Sequence, residues 1–169
     1  MKLLGAAMIL TASFCAGIIH SLTKRQRIDN LQEICSALAL MEGELGARLT
    51  PMPELIRLLA GRAPGQTGAF FSVLSASMDR LGEEDFASLW QMAVRQTMRS
   101  MEEAEREELC RLGLILGQYE LEKQLAAIRT CMVVLRGGLE TAQNKYLTEK
   151  KLSLGLPAAA GALLIIVLF

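Results

Sequence analysis

A single histidine and no Cys-x-x-Cys pair leave this chain without the usual ligand sets for a bound metal. Basic and acidic residues balance at 18 each, so no positive excess points to nucleic acid. Aromatic residues make up only 5% of the sequence. Between residues 22 and 151 there is no Asn-Gly or Asp-Gly turn and no alternating apolar pattern, which argues against a sheet. Also missing are a phosphate-cradling glycine loop, a Gly-Lys-Thr motif and a nucleophile elbow. A carboxylate-based membrane enzyme would need paired acids in one pocket, and the acids here gather at helix starts. No enzyme, cofactor or metal is expected.

What the chain does have is apolar residues, 51% of the total, with a positive mean hydropathy of +0.31. The excess lies at the two ends. Leu3 to Ile19 carries no charge, and as a helix it would span about 26 Å, close to a bilayer's hydrocarbon core. A second uncharged run extends from Leu152 to Phe169. Both are expected to be transmembrane anchors, over residues 1–21 and 152–169. A cleaved signal segment and apolar core helices are the alternatives for runs this short. Lys24, Arg25 and Arg27 follow the first run, and Lys145, Lys150 and Lys151 precede the second. The positive-inside rule then places residues 22–151 in the cytoplasm. His20 falls at the edge of the first run. Cys15 lies within it, and Cys35, Cys110 and Cys131 are isolated among apolar neighbours, as buried thiols would be.

The central region reads as all-α, a compact antiparallel bundle of about six helices. Ile28, Leu31, Cys35, Leu38, Leu45 and Leu49 line one face of a first helix over 22–48. Thr50 is expected to cap a second helix with Pro51 at its first position, ending by Gly61. A third is expected over 67–81, before Gly82. A fourth begins at the acidic Glu83-Glu84-Asp85 and carries Trp90 as a core anchor. Ser100 to Glu103 forms a capping box for the fifth, and the acids over 102–108 read most simply as a helix start with a solvated face, the alternative being a face that meets a basic partner. From Leu121 the spacing is most regular. Leu121, Leu125, Ile128, Met132, Leu135, Leu139, Ala142 and Tyr146 alternate steps of four and three, an a/d seam suited to a bundle core or to a partner helix.

Between these last two helices lies RLGLILGQYELEKQ, residues 111–124, with two glycines four apart. Each costs a helix interior about 1 kcal/mol relative to alanine. Gly117 is expected to end the fifth helix in a left-handed conformation, Gln118 and Tyr119 to link, and Glu120 and Glu122 to open the sixth. Gly113 would let a neighbouring backbone approach. The competing reading is one continuous helix with Gly113, Gly117, Glu120 and Gln124 as a stripe for a partner.

These residues carry a resemblance. The opening MKLLGA, Leu49-Thr50-Pro51, Leu112-Gly113, Leu116-Gly117-Gln118, the acid after them and Gln124 resemble the stage III sporulation protein AB family of endospore-forming bacteria, over essentially the whole chain. That family is similar in turn to the cytoplasmic domain of the F-type inner-membrane platform protein of type II secretion. The platform's turn reads Gly-Glu-x-Ser/Thr-Gly. Gly113 and Gly117 match it, but Leu114 replaces the acid and Leu116 the hydroxyl. The platform holds two bundles, and this chain has no internal repeat.

The resemblance implies a non-enzymatic membrane platform subunit of the channel complex linking mother cell to forespore. It would sit in the outer forespore membrane, with its bundle in the mother-cell cytoplasm. There it would contact a secretion-type ATPase and other membrane subunits, and self-associate. The alternative is a membrane-tethered adaptor or assembly chaperone that binds partner helices through an exposed heptad seam.

Overall fold

The computed structural model describes residues 24–117 and 120–168, with side chains as far as residue 148. Six helices carry the described chain: α1 over 24–43, α2 Met52–Arg62, α3 Gly65–Ser77, α4 Phe86–Thr97, α5 Glu103–Leu116 and α6 Leu121–Leu168. A π-helical turn, Glu44–Arg48, extends α1, and a 3-10 turn, Met78–Arg80, extends α3. No strand forms among the described residues, in keeping with the missing alternation.

Two units separate by contact density. Gln26–Leu139 is one, and the two chain ends, Met1–Arg25 and Glu140–Phe169, are the other. Within the first unit α2 packs on α3, α3 on α4 and α4 on α5. Leu31, Ile34, Leu38 and Met41 bury one face of α1 at steps of three and four. They share a core with Leu55, Ile56 and Leu59 of α2 and with Phe70, Phe71 and Leu74 of α3. Trp90 is fully buried in α4, edge-on to Phe70 and Phe71, and its indole N–H donates to the Leu109 carbonyl at 2.7 Å. From α6, Leu125, Ile128, Met132 and Leu135 enter the same core, while Leu121 and Leu139 are half-buried.

Several local expectations are corrected. Thr50 does not cap α2. Its N–H and hydroxyl turn back to the carbonyl and carboxylate of Glu44, and Pro51 becomes the cap residue with Pro53 just inside. The left-handed residue ending this segment is Leu49, at φ 54°, with the adjacent glycines at ordinary angles. The α5 capping box is shifted by two residues. Glu102 is the cap, and Glu105 returns its carboxylate to the Glu102 N–H at 2.8 Å. Of the two anchors expected at the flanks, residues 1–21 lie outside the described residues and 152–168 fall within the end of α6, and no helix among the described residues is long and apolar enough to cross a membrane.

The thiols report on this packing. Burial pushes Cys131 up to about 12, with Glu108 and Cys35 adding to it. Burial also raises Cys35, against the opposing Arg136 guanidinium. Both thiols therefore stay protonated and unreactive near neutrality. Iodoacetamide at about pH 8 should leave Cys35 and Cys131 unmodified in the folded protein and alkylate both in urea, read by peptide mass spectrometry. Fast native alkylation of Cys131 would contradict the packing of α6.

Candidate functional site

The five residues expected around the α5–α6 turn do not share one surface. The turn itself exists, because α5 stops at Leu116 and α6 opens at Leu121, so residues 100–150 are two helices. Gly117 caps α5 at φ −75°, in the right-handed region, so its expected left-handed conformation is not adopted. A Cβ there would lie 3.4 Å from the Phe86 Cβ, a close but tolerable contact. Gly117 and Glu120 are exposed. Glu120 pairs with Lys123 at 2.8 Å in the first turn of α6, and its carbonyl accepts from the Gln124 N–H. Gln124 is half-buried, and Gln118 lies outside the described residues.

Gly113 is buried instead, and for a reason other than the one expected. What approaches it is the Trp90 indole rather than a backbone. A Cβ on residue 113 would sit 2.3 Å from Cδ1 and 2.5 Å from Cγ of that ring. The missing side chain is thus the seat of the tryptophan, and the indole hydrogen bond to Leu109, one turn earlier on α5, locks the pair together. The continuous stripe of Gly113, Gly117, Glu120 and Gln124 does not form.

The heptad seam is also inward. Leu125, Ile128, Met132 and Leu135 face the core, so they are not free to receive a partner helix. An adaptor acting through that seam is accordingly not the arrangement seen.

The acidic run hides a group that sequence reading placed in solvent. The Glu105 side chain is only 5% exposed. Its two oxygens meet the Arg27 guanidinium as a fork, Nη2 to Oε1 at 2.5 Å and Nε to Oε2 at 3.3 Å, while Arg27 Nη1 reaches the exposed Glu102 at 2.5 Å. A Cβ on Gly138 of α6 would fall 2.5 Å from Glu105 Oε1. One carboxylate therefore ties the starts of α1 and α5 and rests on a glycine of α6. Its signal was the three-residue offset from Glu102, which marks a capping box wherever the helix begins. Nearby, buried Asn30 donates to Ser100 Oγ, which donates to Gln66 Oε1 at 2.9 Å. No group of histidine, cysteine and acids able to hold a metal occurs among the described residues.

The likeness to known proteins runs along the whole chain. The profile of stage III sporulation protein AB matches residues 2–169. Stage III sporulation protein AB of Bacillus subtilis (strain 168) is 24% identical over 170 residues, covering 99% of each chain. A solved structure of stage III sporulation protein AB superposes with a TM-score of 0.65 at 19% identity, covering 72% of this chain and 97% of that one. At that identity the structural match speaks for the helical fold. The profile match extends from Lys2 to Phe169, and on it the chain belongs to the stage III sporulation protein AB family.

Proposed function

We propose that this protein is a non-enzymatic platform subunit of the mother cell–forespore channel complex required for endospore formation. In this reading both apolar ends are anchors in the outer forespore membrane, and the bundle lies in the mother-cell cytoplasm. There it meets a secretion-type ATPase and other membrane subunits of the complex. Family membership supports the sporulation role. The observation that carries the mechanical part is α6, helical from Leu121 to Leu168, with Leu125, Ile128, Met132 and Leu135 clamped in the core at its start. A helix held by a heptad seam is stiff, so a push on the bundle passes along it toward the apolar end. A single bundle offers one copy of each surface, and self-association supplies the second.

Site-specific crosslinking in sporulating cells tests this reading. Cysteines replacing the exposed Gly117 and Glu120 should give adducts with the ATPase or a membrane subunit of the complex, and a cysteine at buried Leu135 should give none. Labelling of cysteines placed at both termini from the cytoplasmic side, or adducts absent at every exposed position of the turn, would overturn it. The core assignment has its own check. Leu135→Lys buries an unpaired charge and should unfold the bundle rather than weaken one contact, at a cost of more than about 3 kcal/mol. Thermal melts compare it with wild type, and an unchanged melting temperature would place Leu135 outside the core.

A further inference from the structure

Gly137-Gly138 is the only adjacent pair of glycines in the chain, and it lies inside α6. Each glycine weakens a helix interior, because it has more backbone freedom to lose than any other residue. Gly138 has a packing reason: a Cβ there would lie 2.5 Å from Glu105 Oε1 and 3.3 Å from its Cδ. Gly137 has none. Its φ lies outside the left-handed region, it is exposed, and a Cβ on it would meet nothing within 4 Å. Alanine would fit there and hold the helix better, so what the glycine does is soften α6 locally. The soft point falls where the helix leaves its grip. Leu125, Ile128, Met132 and Leu135 are buried in the core, and half-buried Leu139 is the last residue of the Gln26–Leu139 body.

A single carboxylate rests on this soft point. Glu105 is fixed from two sides, because the Arg27 guanidinium forks onto both oxygens and the Glu102 N–H donates to Oε2. Sharp helix bends gather at proline, at pairs containing glycine and at π-bulges, and residues 121–148 contain no proline. Bending α6 at the glycine pair would part Gly138 from the carboxylate, so their contact favours the straight helix. In the bent form water reaches the Arg27–Glu105 pair, which offsets part of the packing lost. We propose that Gly137-Gly138 is a hinge in α6, with Glu105 as the latch that keeps the helix straight and Arg27 as the group that sets the latch. The helix then has two conformations, the straight one that the structure holds and one bent at the glycines with Glu105 released. The hinge concerns α6 alone and does not depend on the platform reading.

Bioorthogonal spin labels in place of the exposed Thr130 and Thr148 bracket the hinge, about 27 Å apart along a straight helix. Pulsed electron–electron double resonance on the full chain in mild detergent reads their distance distribution. A main peak for the straight helix and a minor, shorter one are expected. Gly137→Ala should remove the shorter peak and leave the melting temperature unchanged or higher. Arg27→Met with Glu105→Leu should raise that peak at least about threefold, and adding Gly137→Ala to the pair should suppress it again. Where Trp90 fluorescence shows that the double variant does not fold, Glu105→Gln takes its place, since it keeps the side chain's shape and drops the charge that Arg27 holds. A shorter peak that survives Gly137→Ala puts the bend elsewhere and overturns the proposal. So does a distribution that the folded latch variant leaves unchanged. A lower melting temperature for Gly137→Ala would show that the glycine serves packing, and it overturns the hinge as well.

Discussion

Gly113→Ala is expected to destabilise the protein by about 2 kcal/mol, and Gly113→Val by about 4 kcal/mol, although both replace a poor helix former inside a helix. Propensity alone predicts the opposite, a gain of about 1 kcal/mol for alanine. The steric term wins because the added methyl would meet the near end of the tryptophan, its Cγ and Cδ1 at 2.5 and 2.3 Å and its Cβ at 2.9 Å. Those atoms cannot swing away. The ring is fully buried, edge-on to Phe70 and tilted against Phe86 with centroids 4.9 and 5.8 Å away, and hydrogen-bonded to Leu109. Either α4 moves off α5 or the tryptophan leaves its rotamer, and each disturbs the centre of the core. Urea unfolding followed by the fluorescence of Trp90, the chain's single tryptophan, measures the loss. Gly117→Ala is the matched control, because its Cβ meets Phe86 at 3.4 Å in a right-handed conformation, and it should change stability by less than about 0.5 kcal/mol. A stabilised Gly113→Ala would mean that α4 and α5 do not approach as described.

The second large effect concerns Arg27. Arg27→Met is expected to cost about 3–5 kcal/mol, because it strands the Glu105 carboxylate in the interior. The ion pair to the exposed partner Glu102, 60% accessible, contributes little by itself, and removing Glu102 should cost about 1 kcal/mol, mainly through the lost α5 cap. Replacing both buried members, as Arg27→Met with Glu105→Leu, should recover much of the cost, since two desolvated charges then give way to apolar packing. The double-mutant cycle measures the coupling directly, and a coupling below about 0.5 kcal/mol would show that the pair is not formed in solution. Gly138→Ala should destabilise more mildly than Arg27→Met. Its Cβ would press on Glu105 Oε1 at 2.5 Å, and a carboxylate can yield by rotation where an indole cannot.

The comparison of Gly113 with Gly117 shows where sequence reading reaches its limit. Both glycines stood out in RLGLILGQYELEKQ, and a break between α5 and α6 followed from helix length and composition. That Gly117 ends the helix was legible too, but what Gly113 was for depended on Trp90, 23 positions earlier in the chain. The same holds for Glu105. A run of five acids within seven residues reads as solvated, and only the fold brings Arg27 onto one of them. Thr50 likewise bore a helix-start signal, yet Glu44 six residues earlier competed for its hydroxyl and won.

Local pattern was enough for the rest. The absence of strand alternation, the three–four periodicity of α1 and the heptad of α6 set the helical class and the inward faces, because burying an apolar stripe is what stabilises such helices. The family resemblance, too, was carried by short motifs in the chain itself. Tertiary structure alone decided the pairwise matters: the tryptophan seated on Gly113 and the arginine that neutralises Glu105. Each joins residues at least 23 positions apart, where no helical period acts, and each depends on distances of 2 to 3 Å that only packing sets.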